Sequence, residues 1–236
     1  MNSLSAIKPL FFNYTFHLKD GKAIHFEIHL DPVSLEFIPK KTGTLPDWTR
    51  LDYFPCDDCP LIGKVTHCPV AVNLSTIIEP FLDTISHDPA TVHVETENRS
   101  YSKETSVQTG LSSIIGISMV TSNCPVMDEL RPLTRYHLPF ASTEETLFRA
   151  VSYYLTRQYF VAQDGGTPDW NLSGLIEIYK KVSVVNLGIS RRVSQASKKD
   201  ANVNAIIILH SYGDSIPFFV ENGLDEIRYL FKKFIE

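Results

Sequence analysis

Four cysteines are the residues best suited to chemistry in this chain of 236 residues. Their pattern is Cys56-x2-Cys59-x8-Cys68-x55-Cys124, and the first three lie in the proline-rich stretch FPCDDCPLIGKVTHCPVAVN. A C-x2-C turn brings two sulfurs near one point and makes half of a tetrahedral thiolate site. A third thiol nine positions on can return to that point. The fourth must be delivered by the fold. Cys68 and Cys124 share a context, His67-Cys68-Pro69-Val70 and Asn123-Cys124-Pro125-Val126. Proline suits the first position of a helix, where its missing N–H would have no partner anyway. The spacing therefore predicts each cysteine at a helix start. Free backbone N–H groups and the positive end of the helix dipole would favour its thiolate there.

Several chemistries use such a set. Structural zinc leads, with Cys56, Cys59, Cys68 and Cys124 as ligands, because a closed four-ligand site helps most where loops must be tied together. An iron–sulfur cluster is the alternative, because three of the four cysteines precede proline, as the last cysteine of one ferredoxin motif does. Thiol redox chemistry and ordinary buried cysteines complete the choices. His67 could replace one thiol as a ligand. Four thiolates on Zn2+ carry a formal charge of about −2. Helix N-termini, with Lys64 or Arg50, are expected to offset it.

Other clusters carry weaker signals. His17, His25 and His29 share the outer face of a predicted hairpin with Glu27, which reads as a solvated strand face. Arg131, Arg135 and His137 follow Cys124 in RPLTRYHLPF and could bind an anion, neutralise a thiolate site or simply be helix-end charges. From Lys180 to Lys199 there is no acidic residue. Lys180, Lys181, Arg191, Arg192, Lys198 and Lys199 fall opposite an apolar stripe, so a solvated basic face is expected, or else a contact with an acidic partner or a nucleic-acid backbone. Neither a G-x-S-x-G nucleophile elbow nor a glycine-rich phosphate loop occurs in the sequence.

The elements that must position these residues read as α+β. Ile24 to Leu30 alternates apolar and polar residues, the period of a half-buried strand. Asp20-Gly21 turns it against Phe12 to Leu18, and Val33 to Ile38 reads as a short third strand. A loop-rich stretch runs from Pro39 to about Val70. Helical spacing follows over Asn73 to Leu82, strands over Thr91 to Glu95 and Ser100 to Thr105, and a helix over Leu111 to Met119. Ser142 and Glu145 form a capping box that opens another helix. A long helix spans Leu172 to Ala196. Ala205 to Leu209 is ambiguous between buried strand and buried helix. Pro46-Asp47-Trp48 and Pro168-Asp169-Trp170 echo each other as turns in which Asp caps a helix and Trp anchors the core. The organisation is thus a region 1–140 of antiparallel strands, short helices and the cysteine-rich loop, then a bundle-like helical region 141–236. The two could form one continuous domain.

Composition sets the class. A chain 43% hydrophobic with 14 Phe and 10 Tyr has ample surface to bury, which excludes disorder. A net charge of −5 and pI near 5.9 argue against a protein built for nucleic acid or anionic lipid. No apolar run approaches the ~20 residues of a membrane span, and the beginning of the chain does not read as a signal peptide. The expectation is a cytoplasmic protein, where a reducing environment suits cysteines as ligands or reactive thiols.

The segments LPDWTRLDYFPCDDCPL, HCPVAVNLSTIIEPF, TSNCPVMDELRPLTRYHLPFASTEETLFRA and VNAIIIL resemble a family of bacterial cytosolic proteins of unknown function. The resemblance is densest from Leu45 to Tyr159. It implies that Cys56, Cys59, Cys68 and Cys124 occupy the family's cysteine positions, and it implies no activity or substrate. The residues point first to a non-enzymatic binding or regulatory module with a zinc staple, a helical surface being offered to a protein partner. A redox protein or sensor using the same cysteines is the second reading. A nucleic-acid-associated factor is the third.

Overall fold

A computed structural model describes residues 10–38 and 43–235. The first nine residues, read above for a leader, and Pro39 lie outside them. The amino-terminal strands pair as their alternation demands. β1 (Leu10–Leu18) and β2 (Ala23–Leu30) form an antiparallel hairpin in which Tyr14 faces Phe26. Gly21 supplies the positive φ of the turn, 84°. β3 (Pro89–Thr96) pairs with the other edge of β1, and β4 (Ser100–Ser106) follows, giving the order β2-β1-β3-β4. Phe12, Tyr14, Phe16, Ile28, Val92 and Val94 are buried on one face. The opposite face carries the predicted histidines. His25 bonds Thr15, His29 lies 3.7 Å from Glu27, and the His17 ring meets that of His93.

The expected third strand is not one. Val33 to Ile38 forms a single bridge, Leu30 to Phe37. The Asp31 carboxylate accepts the N–H groups of Val33 and Ser34 and folds the chain into a turn instead.

Two helices follow the cysteine loop and the sheet, the second packing on the sheet and the first against the second. α1 (Pro69–Ile78) begins earlier than its periodicity suggests, because proline supplies its first residue. α2 (Val107–Val120) lies between the sheet and the carboxy-terminal helices, so its apolar residues point both ways. Gly110 lets it approach the sheet, since a Cβ there would lie 2.7 Å from Val92 and 2.8 Å from Phe16. The carboxy-terminal half comprises α3 (Thr143–Gln163), α4 (Ser173–Ala196), α5 (Ala201–Glu221) and the short α6 (Asp225–Arg228) and α7 (Lys232–Ile235). The capping box of α3 is complete, with Ser142 and Glu145 each satisfying the other's backbone N–H. Asp169 accepts bonds from the Gly174 N–H and the Tyr154 hydroxyl at the start of α4, which hold its carboxyl below the usual range. Trp170, the expected core anchor, is exposed. Ala205 to Leu209 is helix, part of α5. α5 is long and apolar enough to cross a membrane by length and composition, yet it packs against α2, α3 and α4.

A polar contact joins the sheet to the helices. The Tyr14 hydroxyl lies 2.8 Å from Ser113 Oγ on α2 and 2.7 Å from His137 Nε2. His137 is half-buried, and burial pushes its pKa down to about 3. An unfolded-chain histidine takes its proton near pH 6.5. Between those values the unfolded state holds more protons, so stability is whole above about pH 6.5 and falls as the pH drops. The slope from this residue is at most about 1.4 kcal/mol per pH unit. Urea unfolding from pH 7 to 4 should therefore weaken the native protein faster than His137→Gln. Parallel curves would assign the ring no such role.

Candidate metal centre

The four cysteines come from three places in the chain and lie in one neighbourhood of the fold. Cys56 and Cys59 lie in the loop before α1, Cys68 caps α1, and Cys124 follows the end of α2. Among these four thiols every pair is close enough to interact electrostatically, Cys124 included. All four are free thiols. In the side-chain conformations present, no three His, Cys, Asp or Glu side chains among the described residues stand as a closed metal-holding group.

Local backbone explains the gathering. Asp58 adopts φ 56° inside the C-x2-C turn and curls it, a conformation that aspartate tolerates better than most residues. Asn123 does the same immediately before Cys124, at φ 64°. Arg131 braces that residue by donating to Asn123 Oδ1 at 2.7 Å, and it also bonds Glu36 and Asp128. Its role is thus to hold the turn that carries Cys124, and not to serve as a free anion site. Across the loop, the Cys68 N–H donates to Thr49 O and the Leu51 N–H to Thr66 O, both at 2.8 Å. His67, half-buried beside this small pairing, bonds Thr49 Oγ1 through Nδ1.

The expected helix-start environment is present in part. The N–H groups of Val70 and Ala71 act on the Cys68 sulfur, though no formal capping bond forms, and those of Val126 and Met127 act on Cys124. The second helix is a 3₁₀ segment, Met127–Tyr136, that begins two residues later than a Pro125 start implies. Each set of N–H groups favours the thiolate, but burial outweighs it, so both thiols are pushed up. Cys56 is pushed up to about 12 by burial and then by the charges of the other three sulfurs. This corrects the expectation of thiolates stabilised by helix ends alone. Without a cation among them, Cys56, Cys68 and Cys124 hold their protons at neutral pH.

The cation that sequence reading missed is Arg192. It was placed on an outer basic face of α4, and it is 1% exposed. Its guanidinium donates to the carbonyls of Trp48 at 2.7 Å, Arg50, Leu51 at 3.5 Å and Phe54 at 3.3 Å. It thereby holds the start of the cysteine loop, including Phe54 at the unusual φ of 48°. Its charge also favours the thiolates of Cys56 and Cys68. Among the described residues no carboxylate lies within ion-pair distance of it. Lys64 and Arg50, the cations expected at this site, are exposed, and Arg50 pairs with Asp52 at 2.9 Å. Nor is the rest of the run a continuous basic face. Lys180 meets Glu177, Arg191 meets Asp57 and Lys198 meets Asp83.

α4 seats the loop from below. Gly188 lies under Cys56, where a Cβ would come 2.6 Å from its Sγ and 3.0 Å from its Cα. A glycine four residues before an inward arginine is the one sequence signal that this face of α4 is not solvent-facing.

Residues 12–232 match the model of a family described as a domain of unknown function, DUF6901. The chain belongs to this family. The match spans both the sheet with its cysteine loop and the helical half, so DUF6901 takes in every element that builds the site. No curated protein and no solved structure matches the chain.

Proposed function

We propose that this DUF6901 protein is a non-enzymatic binding module whose cysteine loop is stapled by one structural zinc ion. Cys56, Cys59, Cys68 and Cys124 are the ligands. The observation that carries the reading is the combination of four mutually interacting thiols, two buried and two half-buried, with the buried Arg192, which among the described residues has no carboxylate within ion-pair distance. Burying an unpaired charge is costly. A Zn2+ ion with four thiolates has a net negative charge, and Arg192 is the countercharge beside it. Zinc also answers the raised thiol values, because a bound metal deprotonates its thiols outright. All-sulfur ligation from loops and helix starts suits a closed tetrahedral site with Zn–S of about 2.3 Å.

Elemental analysis of protein purified without oxygen tests this. One zinc per chain is expected, and Cys59→Ser should lose it. Binding displaces thiol protons, so zinc retention against a chelator should weaken steeply below neutral pH. Iron with visible absorbance would replace zinc by a cluster. Metal-free protein, with all four thiols reactive and unchanged thermal stability, would remove the staple altogether.

A further inference from the structure

A cavity of about 460 Å3 opens where α2, α3, α4, α5 and the 127–136 segment part. That volume is typical of small-molecule sites. Most of the wall is apolar, including Met127, Leu130, Leu133 and Leu209. One part is polar. Arg149 lies there, anchored by Nη2 bonds to the carbonyls of Leu133 at 3.1 Å and Tyr136 at 3.2 Å. Among the described residues it has no ion pair. The acid that acts on it, Glu145, is engaged in the capping box of α3. Tyr179 on α4 is near enough to interact with the guanidinium. Two turns along the same helix is Asn186, 2% exposed, whose Oδ1 is buried without a partner. Such an amide can present either oxygen or nitrogen by turning about its last torsion.

A cation with no ion pair among the described residues and an unpaired amide, both in the wall of a largely apolar cavity, call for an anion with an apolar body. Arginine is the side chain suited to grip a carboxylate through two parallel bonds. We propose that this cavity binds an amphipathic monocarboxylate, its carboxylate on Arg149 and its apolar body along Met127, Leu130, Leu133 and Leu209, with Asn186 as a further polar contact in the same wall. This deepens the binding reading above and is independent of the metal, so zinc content and ligand binding can fail separately.

Titration calorimetry with decanoate and decan-1-ol on the protein as purified provides the test. Decanoate should bind saturably and at least tenfold more tightly than the alcohol. Arg149→Met should abolish that preference while the alcohol still binds, which also shows that the variant is folded. Leu209→Trp, which fills the cavity, should remove both. Absence of saturable decanoate binding to the native protein, or equal binding of acid and alcohol, would overturn the proposal. Both readouts use the native chain, so the conclusion does not depend on any variant folding.

Discussion

Replacing Arg192 with methionine is expected to destabilise the protein by about 3–5 kcal/mol and to free the cysteine loop. Methionine fills comparable space but leaves the carbonyls of Trp48, Arg50, Leu51 and Phe54 without their common donor. Each buried acceptor so orphaned costs roughly 1–3 kcal/mol, reduced where water can enter. The loss of positive charge adds to the effect if the thiolates carry zinc. Arg192→Lys separates the two contributions. It keeps the charge but cannot reach four carbonyls at once, so it should retain zinc better than methionine while remaining less stable than the native chain. Urea unfolding and zinc content, measured on the same samples, give both answers. A methionine variant within 1 kcal/mol of native stability, with full zinc, would show that the loop is held by something else.

The second large effect is expected at Gly188. Alanine normally strengthens a helix by about 1 kcal/mol relative to glycine. Here the added Cβ would meet the Sγ and the backbone of Cys56, and backbone cannot swing aside as a side-chain tip can. Overpacking of this kind typically costs 1–3 kcal/mol. The loop, held by fewer contacts than the helix, is the part that yields. Gly188→Ala should therefore leave helix content intact and lose zinc to a chelator at least tenfold more readily, equivalent to about 1.4 kcal/mol. Gly116→Ala is the control. Its Cβ would touch only the tip of Leu209 at 3.3 Å, so it should keep its zinc. Equal zinc retention in the two variants would dissociate α4 from the site.

These two residues also mark where the sequence stops being legible. The hairpin at Leu10–Leu30 and the capping box at Ser142 could be read from local pattern, because a strand's alternation and a cap's spacing depend on neighbours in the chain. The short pattern at Val33 to Ile38 misled, because an aspartate-capped turn competes with a strand and Asp31 wins there. The C-x2-C and Cys-Pro contexts marked the four thiols, but no spacing rule carries Cys124 across 55 intervening residues to the others. Arg192 was hidden for a related reason. Arginine on an amphipathic helix is expected to face water. Its acceptors are backbone carbonyls in a loop some 140 residues earlier, and carbonyls leave no trace in a sequence. The cavity around Arg149 was equally unreadable, since it arises from how helices part and not from any one helix.

The dependence of the cysteine loop on α4 has a consequence for biosynthesis. Cys124 leaves the ribosome 64 residues before Gly188, an interval of several seconds at ordinary elongation rates of about 5–20 residues per second. During it all four sulfurs are outside without the helix against which they settle or the guanidinium that fastens their loop. A nascent chain halted before α4 would expose every thiol to oxidants and adventitious metals. The carboxy-terminal half therefore completes, and shields, a site to which it contributes no sulfur.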